Sequence, residues 1–174
     1  ELGANHPKER EALCKIAEPN FGYITNFGKA HLEGFGSEEG VVEAKSELYT
    51  YLRNNEGLAF VNALEEKQLE LTEAMDRKIF YIGEDAEFEL LEVQPKLVIR
   101  YDKEQIETNL VGAYNLTNCV AALFIGAYFG VSIEESASAI ADYIPDNNRS
   151  ELKKTASNLL LMDAYNANPT SILA

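Results

Sequence analysis

Residues 22–62 read GYITNFGKAHLEGFGSEEGVVEAKSELYTYLRNNEGLAFVN, and this stretch decides the fold. Gly22 to Asn26 reads as a short strand, and a glycine-spaced loop runs from Gly28 to Gly40. The spacing of Val41, Leu48 and Leu52 predicts a helix over Glu38 to Arg53. The apolar run from Gly57 to Asn62 predicts a strand. Working outward, Pro7 opens a helical stretch to about Ala17, where its missing N–H costs nothing. Leu64 to Arg77 reads as another helix and Lys78 to Ile82 as another strand. Strand and helix alternate, which predicts an α/β protein with a mostly parallel sheet flanked by helices.

Beyond residue 82 the pattern changes. Phe88–Val93, Lys96–Tyr101 and Gln105–Val111 are short strand-like runs joined by turn residues, and they predict a small antiparallel β meander. Asn115 to Gly130 returns to helix, with Asn115 read as its cap and Gly130 as its stop. Ser132 caps a further helix to about Tyr143, and Pro145-Asp146-Asn147-Asn148 reads as a linker. Leu159–Met162 reads as a strand ending at Asp163. Glu1-Leu2-Gly3 reads as the end of a strand, so the expectation is a piece of a longer protein.

Composition sets limits. The chain has 174 residues, 46% of them hydrophobic and 25% charged, which is globular usage and excludes disorder. Its 15 basic and 29 acidic residues give a net charge of −14, so nucleic-acid binding through a basic surface is excluded. The longest apolar stretch, near Cys119 to Phe129, is too short for a membrane span, and no membrane insertion is expected. Cys14 and Cys119 sit among apolar neighbours and read as buried thiols of a reducing cytoplasm.

Two phosphate-binding patterns fail. Gly28-Lys29 is followed by Ala30 where a P-loop needs Ser or Thr, and Gly34-x-Gly36 meets its next glycine one position late, at Gly40. The informative residues lie elsewhere. Lys45 falls within the apolar stripe of its helix, where a charge is costly. Two readings stand: a lysine that snorkels from the core edge, or a functional amine made more neutral by burial. His31 lies in the loop after a strand, where ligands of α/β sheets gather. With Glu1 at another strand end and Lys45 on the next helix, it forms a set able to converge on one hard cation. His6 is a weaker candidate on the same logic. Asn115 and Asn118 share the first turn of a helix, Arg149 follows the linker, and Asp163-Ala164-Tyr165-Asn166-Ala167-Asn168-Pro169 has the composition of a turn.

The segments ELGANHP (1–7), ITNxGxAHLEGFGS (24–37), AKxEL (44–48), GxYNxxNxxAA (112–122), Arg149 and DxYNANP (163–169) occur in one order. Together they resemble the Mur ligase family over nearly the whole chain. The resemblance implies the P-loop NTPase-like central domain of that family over residues 1–147, without its P-loop, and the start of its C-terminal domain over 148–174. It implies ATP-dependent amide formation in peptidoglycan synthesis, through an acyl phosphate. HLEGFGS and DxYNANP resemble the branch that joins D-Ala-D-Ala to UDP-N-acetylmuramoyl-tripeptide, so those two substrates are the implied partners. Carried over by position, Glu1, His31 and Lys45 match Mg²⁺ ligands, with Lys45 carbamylated by CO₂ and, with His31, counted as catalytic. Asn26 matches a residue near the triphosphate, and Asn115 and Asn118 the adenine-side asparagines. Arg149 and Asp163 match the phosphate-facing arginine and the ribose-binding acid. Tyr114 stands where the family commonly has His. A folylpolyglutamate-synthase-like ligase and a non-catalytic α/β module are the alternatives, and dimerisation through an exposed sheet edge is expected.

Overall fold

The structure, a computed structural model, describes residues 1–28, 35–145 and 151–162. The chain forms two compact units, Glu1–Phe80 and Tyr81–Ala174. The expected domain boundary at 147/148 lies outside the described residues.

The first unit holds helix α1 (Glu9–Ala17), strand β1 (Phe21–Tyr23), helix α2 (Glu38–Asn54), strand β2 (Leu58–Asn62), helix α3 (Glu66–Leu71) and strand β3 (Arg77–Phe80). The strands form the expected parallel sheet in the order β1-β2-β3, with Tyr23 opposite Phe60 and Asn62 opposite Phe80. β2 is buried almost throughout, as a central parallel strand covered on both faces must be. On one face Ala59 and Val61 join Leu48, Tyr49 and Leu52 of α2, Cys14 of α1 and Ile24 in a single apolar cluster. Burying a side chain of Leu size stabilises by on the order of 2 kcal/mol, so this cluster fixes α2 on the sheet. Gly22 permits the close approach: a Cβ there would stand 2.8 Å from a Leu52 methyl. Ser37 caps α2, its hydroxyl accepting from the Gly40 amide at 3.1 Å.

Three expectations in this unit are corrected. Helix α3 ends at Leu71, well short of Arg77. The Thr72 hydroxyl and amide both bond back to the Gln68 carbonyl, and the arginines Arg53 and Arg77 take the carbonyls of Leu71 and Leu69, so the helix end is satisfied there. Helix α1 begins at Glu9, after Pro7, because the Glu9 carboxylate gathers the amides of Asn5 and His6 into a turn. Residues 1–3 form no strand among the described residues; the Leu2 carbonyl bonds to Arg10 instead of a neighbouring strand.

In the second unit, β4 (Phe88–Glu92), β5 (Val98–Tyr101) and β6 (Glu104–Glu107) form the expected antiparallel meander. Phe88 stacks on Tyr101, ring centroids 4.7 Å apart, and Phe124 meets it edge-on. Helix α4 (Asn115–Tyr128) and helix α5 (Ile133–Asp142) follow, the latter opened by a full capping box between Ser132 and Glu135. Strand β7 (Glu151–Lys154), which the sequence did not announce, pairs antiparallel with β8 (Leu159–Met162). Both cysteines are buried free thiols, and burial raises the Cys119 thiol to about 11.

Candidate nucleotide and cation site

The parallel topology places Ile24–Gly28 just beyond the carboxyl end of β1, and the Asn62–Glu65 turn beyond the carboxyl end of β2. Ligands of open α/β sheets bind at this edge. Gln68, fully buried, stitches the two turns together: its side-chain carbonyl accepts from the Asn62 amide at 3.0 Å, and its amide group donates to the Ile24 carbonyl at 2.7 Å. The Asn62 side chain in turn accepts from the Leu64 amide at 3.0 Å.

Lys45 reaches this edge from α2. The buried stripe of the helix is Val41, Ala44, Leu48, Tyr49 and Leu52, so Lys45 lies at its margin and not at its middle. Its stem is half-buried, and its ammonium donates to the Asn26 carbonyl at 2.7 Å and approaches the Asn26 side-chain oxygen at 3.4 Å. That same oxygen accepts from the Gly28 amide at 3.0 Å. Burial holds the Lys45 amine below the ordinary lysine range, the Arg10 guanidinium adds to the effect, and Glu65 opposes it. Burial pushes the Glu65 carboxyl upward, with Lys45 opposing. The result is a lysine with an enlarged neutral fraction, held at a strand end beside an amide oxygen.

Glu1 is exposed, and its neighbour Leu2 packs against the apolar cluster under α2. Its carboxylate, the Asn26 side-chain oxygen and a carbamylated Lys45 would be hard oxygen donors of the kind Mg²⁺ takes; the free ammonium of Lys45 is no ligand. The chemistry of this set therefore fits a hard divalent cation once the lysine carries a carboxylate. Among the described residues no three His, Cys, Asp or Glu side chains cluster as a metal site. His6 is exposed and pairs with Glu9, its ring nitrogen 3.3 Å from the carboxylate.

Within the second unit, Asn115 and Asn118 stand at the start of α4, three residues apart on one face. Asn115 is not the cap. It is the first helical residue, and its side-chain amide donates back to the Val111 carbonyl at 2.8 Å. Gly112 before it adopts a φ of +89°, and a Cβ there would stand 2.5 Å from the Tyr114 ring. Glycine is thus required twice over for this turn. Asn118 is exposed. His31, Arg149 and Asp163 lie outside the described residues.

Sequence reasoning missed four residues that organise the first unit: Arg10, Glu47, Glu65 and Gln68. Arg10 had a signal of the kind that singled out Lys45. It shares a helical face with the buried Cys14 at i, i+4 spacing, and its guanidinium is half-buried. Glu47 accepts from the amides of Lys8 and Glu11 at 2.6 and 2.8 Å, bonding the start of α1 to α2.

The first unit is thus a parallel βαβ sheet with a lysine delivered just beyond its first strand, followed in sequence by a small meander and an asparagine-led helix. The Mur ligase middle domain matches residues 1–126, and the chain belongs to the Mur ligase family. Among its relatives, the UDP-N-acetylmuramoyl-tripeptide–D-alanyl-D-alanine ligase of Bacillus subtilis (strain 168) is 32% identical over all of this chain and 39% of the relative. The ligase of the same description from Escherichia coli (strain K12) is 31% identical over all of this chain and 41% of the relative. A crystal structure of MurF from Acinetobacter baumannii superposes with a TM-score of 0.83 at 31% identity, covering 100% of this chain and 40% of that one. The chain thus spans about two fifths of the length of the relatives it matches. No helix among the described residues is long and apolar enough to cross a membrane.

Proposed function

We propose that this chain is the central part of a cytoplasmic ligase that joins D-Ala-D-Ala to UDP-N-acetylmuramoyl-tripeptide. The γ-phosphoryl of ATP passes to the terminal carboxylate of the tripeptide, giving an acyl phosphate and ADP. The amine of D-Ala-D-Ala then attacks the acyl carbon, the C–O bond to phosphate breaks, and an amide, phosphate and a proton are released.

The observation that carries this reading is the Lys45 ammonium on the Asn26 carbonyl at the end of β1. Half-burial and the nearby guanidinium favour the neutral amine that CO₂ needs; the carbamate, formed with release of a proton, would supply a carboxylate able to hold a cation. Glu1, His31 and carbamylated Lys45 would hold Mg²⁺, which when bound neutralises charge on the phosphoryl oxygens. Asn26 borders the triphosphate, and Asn115 and Asn118 face adenine. Arg149 and Asp163, at the junction of a domain over 1–147 with one starting at 148, would reach phosphate and ribose. Self-association through a sheet edge rests on β1, which pairs on one side only among the described residues.

The test is phosphate release by the full-length protein with the UDP-linked tripeptide and D-Ala-D-Ala. Turnover should require both, with the dipeptide preferred over free D-Ala, and the 174-residue chain alone should give none, because it carries no P-loop to position the triphosphate. Equal rates with glutamate on a folate acceptor would overturn the assignment of substrate.

A further inference from the structure

Among the described residues the segment of residues 1–3 is tied to α2. What holds it is a side chain. The Arg10 guanidinium donates through Nε to the Leu2 carbonyl at 3.1 Å and through Nη1 to the Ala44 carbonyl at 2.7 Å. The Ala44 carbonyl belongs to the peptide that enters Lys45 and the Leu2 carbonyl to the peptide one residue beyond Glu1, so one rigid planar group links the two segments that carry these residues. Both carbonyls and the guanidinium are partly buried, and the Leu2 side chain packs on the core, so the bridge is shielded from water. Around it, Glu47 fixes the start of α1 to α2 and Glu9 closes the turn at Asn5 and His6. These contacts secure α1, but Arg10 makes the link from the Glu1 segment to the Lys45 segment. A lysine at position 10 would present one compact ammonium where the bridge uses two donors in a fixed fork.

We propose that Arg10 is a positioning residue for the cation site: its guanidinium sets the separation of the Glu1 carboxylate from Lys45 by holding their neighbouring peptides on one plane. This rests on the reading of Glu1 and Lys45 as cation ligands. Groups that orient metal ligands without touching the metal typically change metal affinity by about 10- to 100-fold when removed.

The experiment is Mn²⁺ binding, with the metal alone as probe, followed by electron paramagnetic resonance in the full-length protein. Wild type is compared with Arg10→Lys, Arg10→Ala, Glu1→Gln, Lys45→Ala and Arg53→Ala. Arg53 is the control: it also ties a helix to a carbonyl, that of Leu71 at 2.7 Å, but bonds to neither peptide next to the ligands. Each Arg10 variant is expected to weaken Mn²⁺ binding by about 10-fold, with ATP KM at saturating Mg²⁺ within about twofold of wild type. Arg53→Ala is expected to leave Mn²⁺ binding unchanged even where it lowers the urea midpoint. If Glu1→Gln and Lys45→Ala weaken binding and neither Arg10 variant does, the role of Arg10 is wrong and the ligand reading survives. If Glu1→Gln and Lys45→Ala also leave binding unchanged, the ligand reading falls and the role of Arg10 with it. Arg10→Lys keeps the charge and the stem, so the test stands even if Arg10→Ala does not fold.

Discussion

The two places that carry candidate nucleotide-side residues are built in different ways. In the first unit, the Lys45 edge is assembled from segments far apart in sequence: Asn26 and Lys45, Ile24 and Gln68, Leu2, Arg10 and Ala44. In the second, Asn115 and Asn118 belong to one helical turn, and the Asn115 side chain bonds only four residues back. A site made by tertiary contacts is sensitive to every element that positions it. A site made by one helix start depends on a glycine turn and on little else. The first should fail in chemistry when a distant contact is removed, and the second only in affinity.

The largest effect should come from Lys45. In the full-length protein, Lys45→Ala is expected to lower kcat of the proposed reaction by on the order of 100-fold or more, the loss seen when one preorganised electrostatic group is removed. Short carboxylic acids added to the solution should restore part of the rate by entering the vacated space. A lysine that merely snorkels predicts neither effect. A near-normal kcat, or a loss that no small carboxylate relieves, would break the distinction between the two sites at its most important point.

Gln68 sharpens the comparison from the side of stability. Gln68→Leu leaves the Asn62 amide and the Ile24 carbonyl without their partners in the core. Each orphaned buried group costs about 1–3 kcal/mol. Amide exchange in β2 should therefore show an opening free energy lower by about 2–6 kcal/mol. Turnover should fall as well, since Ile24 leads directly into Asn26. Unchanged protection at Asn62 would show that the strand ends do not depend on this side chain.

The contrast also explains what was legible in the sequence. The βαβ alternation and the meander follow local rules of period and turn chemistry, and both stand in the structure. The capping box at Ser132 is equally local. Lys45 drew notice because a charge broke an apolar period, although the true stripe runs through Ala44 and places the lysine at its margin. Gln68 gave no such signal, since a glutamine on a short polar helix looks solvated until β1 is packed beside it. The overextended reading of α3 has the same origin: its stop comes from Arg53 and Arg77, which arrive from elsewhere in the chain. Asn115 was misread in the opposite sense. It has the residue type of a cap, but the Gly112 turn brings the chain in one residue earlier.

At the helix-local site the effects should be smaller and confined to binding. Asn115→Ala removes one hydrogen bond to the Val111 carbonyl, worth about 1 kcal/mol. In the full-length protein, loss of the amide that the proposed function turns toward adenine should in addition raise the ATP KM by about 5- to 10-fold, roughly 1 kcal/mol of affinity, with kcat within about twofold. A kcat loss comparable to that of Lys45→Ala would mean that the second site does more than hold nucleotide.

At neutral pH the smallest effect concerns two tyrosines under the first site. The hydroxyls of Tyr23 and Tyr49 are buried and meet no hydrogen-bond partner among the described residues. The Ile24 amide leans toward the Tyr49 oxygen but falls short of a hydrogen bond. Replacing a buried polar group that has no partner by an apolar one of the same shape is near neutral or stabilising. Tyr49→Phe should therefore change stability by between zero and about +1 kcal/mol, where a bonded hydroxyl would give a loss of about that size. The pH dependence provides an independent check. Burial and the Glu65 carboxylate push the Tyr23 phenol up to about 12 from an ordinary value near 10. Between these values the unfolded chain has released this proton and the folded chain has kept it, so the unfolded state binds fewer protons and stability falls as pH rises. The whole loss is at most about 2–3 kcal/mol over that interval, and Tyr23→Phe should abolish this contribution. Amide exchange of β1 and β2 in wild type and in the two variants, at pH 10 and pH 11, measures both effects. A Tyr49→Phe protein that loses more than about 1 kcal/mol would show that its hydroxyl is bonded after all, and that the tertiary site tolerates even fewer changes than the contrast with Asn115 implies.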